Sequence, residues 1–155
     1  MLDYVTHDVT EVAFDEPMYS VGPAGNPEWA PPVLRVGYGS FVTPGTVYEY
    51  VVATGELLLR KRQPVLGGYD PDDYAQQRIW ATADDGTQIP VSLVWKRSFG
   101  ALGSTPRPVH LYGYGSYEHS IEPGFSVARL SALDRGVVFA VAHVRGGGEM
   151  GRQWY

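Results

Sequence analysis

Residues 109–144 read VHLYGYGSYEHSIEPGFSVARLSALDRGVVFAVAHV, and four patterns succeed one another within them. Residues 109–112 have the apolar and aromatic make-up of a short strand. Residues 113–117 then place glycine at every second position, which lets a chain turn sharply and come close to a neighbour. From 126 to 135 the spacing becomes helical, with Val127, Leu130 and Ser131 expected on one face. Ser126 stands where an N-cap belongs, and Gly136 where a C′ glycine ends a helix. Residues 137–144 are almost unbroken apolar, as in a strand buried on both faces of a parallel sheet. Strand, loop, helix and buried strand are the opening of an α/β sheet. A single such unit leaves one sheet face and two edges uncovered.

Upstream, residues 78–82 and 89–95 pair as a hairpin across ADDGTQ. Before them, QPVLGGYDPDDY (63–74) gathers two glycines, two prolines and three aspartates, the composition of a junction. The first third is β-like. Strands are predicted at 33–38, 46–52 and 56–62, the last two joined by ATGE with Gly55 at the positive-φ position. Consecutive antiparallel strands of this length suit a propeller blade or part of a sandwich. The whole chain is therefore mixed β and α/β.

Composition narrows the partners. At 155 residues, 44% hydrophobic and 19% charged, the chain has the make-up of a globular protein with a sizeable core. A net charge of −5 argues against nucleic acid or an anionic membrane surface. Cysteine is absent, so neither disulfides nor thiolate metal sites arise. No run of eighteen apolar residues occurs. The start, MLDYVTHDVTE, lacks the basic and apolar regions of a signal peptide, so the expected location is the cytoplasm.

Three constellations carry chemistry. Gly146, Gly148 and Gly151 spell G-x-G-x-x-G after an apolar run, the fingerprint of a dinucleotide loop. Against that reading, Glu149 would face the pyrophosphate, and only four residues follow Gly151. A glycine loop that packs closely at a strand end is the better account. None of the nine serines has glycine at both −2 and +2, so the G-x-S-x-G nucleophile elbow is absent. His143 reads as a strand-end histidine satisfied by its neighbours ahead of a general base. His7, His110 and His119 share no metal-ligand spacing, and no metal or cofactor is expected. The third constellation is GYGSY. In α/β-hydrolases the loop after the third strand supplies part of the oxyanion hole, and this loop has that address. Tyr114 either donates its hydroxyl to a developing oxyanion or packs at the sheet edge; position alone leaves both open.

HLYGYGSY, FSVARLSALDRG and AHVRGGGEMGRQWY, in this order and spacing, resemble the prolyl oligopeptidase family of serine peptidases, its oligopeptidase B branch above all. LRVGYGSFVTPGTVYEYVVATGE and GYDPDDYAQQRIWATADDGTQIPVSLVWKR extend the likeness to nearly the whole chain from about Phe14. The resemblance implies the final part of a β-propeller over residues 1–66. Residues 67–155 would then be the first strands and first helix of an α/β-hydrolase domain, incomplete. It further implies cleavage of short peptides after Arg or Lys by a Ser-Asp-His triad, none of which maps onto this chain. The chain would be a fragment, inactive alone, and His143 would not be the catalytic histidine. Tyr114 would take the oxyanion role and Tyr117 would line the substrate pocket. Oligopeptidase B sequences often carry glycine after the Y-G-S-Y stretch, where Glu118 stands here. That raises the expectation of an altered turn, or of negative potential near a cationic substrate. Readings from other classes are a non-catalytic β-rich binding module and a dinucleotide-binding oxidoreductase fragment using Gly146, Gly148 and Gly151. Oligomeric state is not legible.

Overall fold

The computed structural model describes Met1 and residues 5–155. Two four-stranded sheets lie on either side of the 63–73 junction. The first is an antiparallel meander of β1 (Tyr19–Pro23), β2 (Val33–Ser40), β3 (Thr46–Val51) and β4 (Leu57–Arg62), in that spatial order. The β3–β4 hairpin turns where the sequence places it: Gly55 has φ 75, and its N–H donates to the Val51 carbonyl at 2.8 Å. β1 is an addition to the expected set. Its sequence, YSVGP, carries a glycine and a proline that mask the strand signal, yet it pairs with β2 from Tyr19↔Ser40 to Pro23↔Val36.

The second sheet contains β5 (Tyr74–Thr82), β6 (Gln88–Lys96), β7 (Val109–Tyr112) and β8 (Val138–Ala142), in the spatial order β5-β6-β8-β7. β5 and β6 form the expected hairpin, with Trp80 opposite Pro90. β8 runs parallel to β7 but antiparallel to β6, so the sheet is mixed where the apolar run suggested a parallel one. Burial of β8 comes from its central place between β6 and β7, and an apolar run reports that place whatever the neighbours' direction. β7 is an edge: Leu111 is 65% exposed.

One helix, α1 (Val127–Leu133), connects β7 to β8. Ser126 caps it by accepting from the Arg129 N–H. At the other end Gly136 (φ 84) donates to the Leu133 carbonyl, and Val137 donates to Ala132, which together make a Schellman closure. The buried face differs from the expected one. Leu133 is fully buried and Leu130 half-buried, whereas Val127 is 56% exposed and Ser131 is exposed. Arg129 accounts for the rotation. Its guanidinium lies 4.2 Å from the Phe139 ring centroid and 5.1 Å from that of Phe41, so an arginine takes a place facing the sheet. Below α1, Asp134 accepts from Tyr74 Oη at 2.7 Å and Lys96 Nζ at 2.9 Å, tying the helix end to β5 and β6.

The sheets share a core. Met18, Phe41 and Val42 from the first half pack with Tyr74, Val94, Leu133 and Val141 from the second. Phe41 and Val42 reach across because β2 ends in a tight turn, where the buried Ser40 hydroxyl accepts from the N–H groups of Val42 and Thr43. Tyr69, from the junction, donates to the Val42 carbonyl. Glu16 accepts from Thr43 on one side and from Gln76 on the other.

Candidate functional site at the ends of β7 and β8

Because β7 and β8 are parallel, the segments that follow them emerge at the same end of the sheet. The GYGSYE loop after β7 and the RGGGEMG loop after β8 meet there. Tyr114 sits half-exposed, with its ring edge-on to His119 at 5.8 Å between centroids. Tyr117, 81% exposed, has φ 53, and Glu118 follows with φ 56. Two successive non-glycine residues in the left-handed region carry roughly 1–2 kcal/mol of strain each. They therefore need surrounding structure to hold them. Glu118 occupies a position suited to glycine, and its carboxylate is held by Arg152. That charge is paired with a cation of the chain itself, which reduces what it offers to a cationic ligand. Tyr114 and Tyr117 are both exposed on one loop.

The RGGGEMG loop supplies the restraint. A β-carbon on Gly146 (φ 97) would stand 2.0 Å from the Gly115 carbonyl oxygen, and one on Gly115 would stand 2.7 Å from the Arg145 carbonyl oxygen. Neither residue can carry a side chain without parting the two loops. A β-carbon on Gly148 would lie 2.6 Å from the Glu118 carbonyl oxygen, and one on Gly147 would lie 2.2 Å from Glu149 Oε2. The contact is closed by a hydrogen bond of 3.0 Å from the Glu118 N–H to the Gly146 carbonyl. Arg145 extends the brace to the β5–β6 turn by pairing with Asp85.

This packing removes the dinucleotide reading of Gly146, Gly148 and Gly151. A phosphate-binding loop presents free N–H groups at the start of a helix. Here Gly146 donates to the Trp154 carbonyl at 2.8 Å, Gly147 to Val144 at 3.3 Å and Gly151 to Gly148 at 3.0 Å. The turn after Gly151 is a single 3₁₀ turn, Arg152–Trp154. Gly146 and Gly148 serve close backbone contact, as the better of the sequence accounts had it, while Gly151 (φ 88) has open space at its β-carbon position and serves a turn.

His143, just past β8, is 3% exposed and fully satisfied. Its Nε2 lies 2.7 Å from Ser92 Oγ, and its Nδ1 lies 3.2 Å from Glu149 Oε1. Burial lowers the His143 pKa, the Glu149 hydrogen bond opposes this, and the Arg78 charge adds to the lowering. Burial alone would raise the Glu149 carboxyl, but the N–H of Ile121, its own N–H and His143 hold it below the usual carboxylate range. Ser92 was not a candidate in the sequence: 51 residues separate it from His143, and only the β6–β8 register, Ser92↔Val141, brings them together. Among the described residues no group of three potential metal ligands is gathered, and no helix is long and apolar enough to cross a membrane.

No protein-family model matches the chain. It is 49% identical over 145 residues to dipeptidyl aminopeptidase BI of Pseudoxanthomonas mexicana, covering 93% of this chain and 20% of that protein. Protease 2 of Moraxella lacunata is 38% identical over 154 residues, covering 98% of this chain and 22% of that protein. Among solved structures, oligopeptidase B of Trypanosoma brucei, in a closed form with covalently bound antipain, superposes with a TM-score of 0.83 at 42% identity. That match covers 93% of this chain and 20% of the other. The chain thus spans about a fifth of the length of the relatives it matches.

Proposed function

We propose, on the premise that this chain belongs with the oligopeptidase B, dipeptidyl aminopeptidase and prolyl oligopeptidase family, that it forms one segment of a serine peptidase. Residues 1–66 take the part of the closing propeller strands, and residues 67–155 that of the first strands and helix of the α/β-hydrolase domain. The β5-β6-β8-β7 order supports this, since it joins an antiparallel hairpin to a parallel βαβ unit within one sheet. The observation that carries the site is Tyr114, half-exposed on a loop fixed by glycine-to-glycine contact at the end of β7. There its hydroxyl donates to the oxyanion that forms as a serine attacks the peptide carbonyl. A donor already fixed in place stabilises that charge without reorganising during reaction. Tyr117 lines the approach to the same site. The substrates are short peptides, cleaved after Arg or Lys.

A second reading concerns where the peptide is cut. The dipeptidyl aminopeptidase relative favours removal of dipeptides from a free N-terminus. Matched peptides with free and blocked N-termini separate the two. Equal cleavage of both supports the endopeptidase, and cleavage confined to the free form supports the aminopeptidase.

The catalytic serine is not proposed among residues 1–155. Ser92, whose hydroxyl bonds to the His143 ring, is 1% exposed. This chain should therefore remain unlabelled by a serine-directed fluorophosphonate, while the peptidase carrying the segment is labelled once. Stoichiometric labelling of Ser92 would contradict the assignment.

A further inference from the structure

We propose that His143 and Glu149 are positioning residues for Tyr114, held from within the sheet by Ser92 and Arg78. The inference rests on the oxyanion role of Tyr114 and adds what keeps that hydroxyl in place.

The hydrogen-bond directions follow from the groups themselves. A carboxylate only accepts, so Glu149 Oε1 takes the Nδ1–H of His143. A neutral imidazole then has a lone pair on Nε2, and the Ser92 hydroxyl donates to it at 2.7 Å. Arg78 donates to Ser92 Oγ at 3.2 Å, occupying a lone pair of that oxygen. Glu149 Oε1 also accepts from the Ile121 N–H at 2.9 Å. A continuous chain thus runs from β5 through β6 and the end of β8 to Ile121, within the irregular stretch that joins β7 to α1.

The connectivity is that of a hydrolytic triad, serine to histidine to carboxylate, but the surroundings are not. Ser92 is buried between strands, and the Arg78 donor sits on its oxygen. The cavity of about 280 Å³ beside the chain is lined by Arg78, Pro90, Ile121, His143, Glu149 and their neighbours, without Ser92. No substrate carbonyl reaches the serine. What the chain does control is Glu149, which occupies the space over Gly147 and pins Ile121. Residues 113–121 are therefore held at two places, by Gly146 against Gly115 and by Glu149 on Ile121, with Tyr114 and the strained Tyr117 and Glu118 in the same stretch.

The test is a double-mutant cycle in the peptidase carrying this segment. Glu149→Ala should lower kcat about 10- to 100-fold with KM within about threefold, the cost of a misplaced catalytic group. Glu149→Gln, whose amide oxygen still accepts from Ile121 and His143, should restore kcat to within about fivefold of wild type. In a Tyr114→Phe background, Glu149→Ala should change kcat less than about threefold, because the group it positions is gone. Equal losses in both backgrounds, or a loss confined to KM, would overturn the proposal. Ser92→Ala, which removes one hydroxyl, gives the same pattern at smaller amplitude if Glu149→Ala does not fold. Hydrogen exchange separates the clamp from the oxyanion role: Glu149→Ala should speed exchange at the Ile121 and Glu118 amides and leave the β5–β6 hairpin unchanged. Unchanged exchange at Ile121 and Glu118 overturns the clamp, whatever Tyr114→Phe does. Near-wild-type kcat in Tyr114→Phe overturns the oxyanion role and, with it, the catalytic consequence of the clamp.

Discussion

Two runs of adjacent glycines look alike in the sequence and do opposite work. Gly67 and Gly68, in the junction between the sheets, have φ of 96 and 82 with open space where a β-carbon would stand. Gly146, Gly147 and Gly148 have a carbonyl or carboxylate oxygen 2.0–2.6 Å from that position. The first pair allows a turn, and the second run allows contact between two loops. The difference shows that a glycine run specifies function only through what lies against it, and here that is a loop some 30 residues upstream.

The largest effect should come from Gly146→Ala. The added methyl cannot be seated against the Gly115 carbonyl, so the two loops must separate. We expect a loss of about 3 kcal/mol or more in denaturant unfolding, at the upper end of overpacking costs. Gly68→Ala meets no atom and has only its backbone conformation to adjust, about 1–2 kcal/mol. Equal losses at the two sites would break the comparison. Acidification is the smaller lever and sharpens it further. His143 has a folded pKa below its ordinary 6.5, so its stabilisation is present above that value and fades as pH falls through the lowered one. Glu149, also lowered from its ordinary value, acts with the same sign further into acid. Exchange at the Ile121 amide should therefore rise on acidification, once corrected for intrinsic rates, while that at Gly67 and Gly68 stays flat. A pH-independent corrected rate at Ile121 would contradict the account of the clamp.

Much of the fold was legible because its signals are local. Alternation and turn chemistry mark the β3–β4 and β5–β6 hairpins, and the cap at Ser126 and closure at Gly136 bound α1. The misses share a physical cause, in that each depends on a distant partner. β1 becomes a strand because β2 pairs with it, against its own glycine and proline. α1 turns Leu133 inward because Arg129 finds Phe41 and Phe139, one of them in the other sheet's turn. The mixed direction of the second sheet is invisible in β8, whose apolar run is the same beside either kind of neighbour. At the candidate site, the place of Tyr114 on the loop directly after β7 was legible. The partnership of Ser92, His143 and Glu149 was not, since a buried serine on an alternating strand carries no mark of the histidine 51 residues away.

The one catalytic contribution proposed for this chain is the Tyr114 hydroxyl. In the peptidase carrying this segment, kcat of Tyr114→Phe should fall by roughly 10²–10³, the loss of one oxyanion donor, with unfolding stability unchanged. A kcat within about threefold of wild type, with the fold intact, would contradict it.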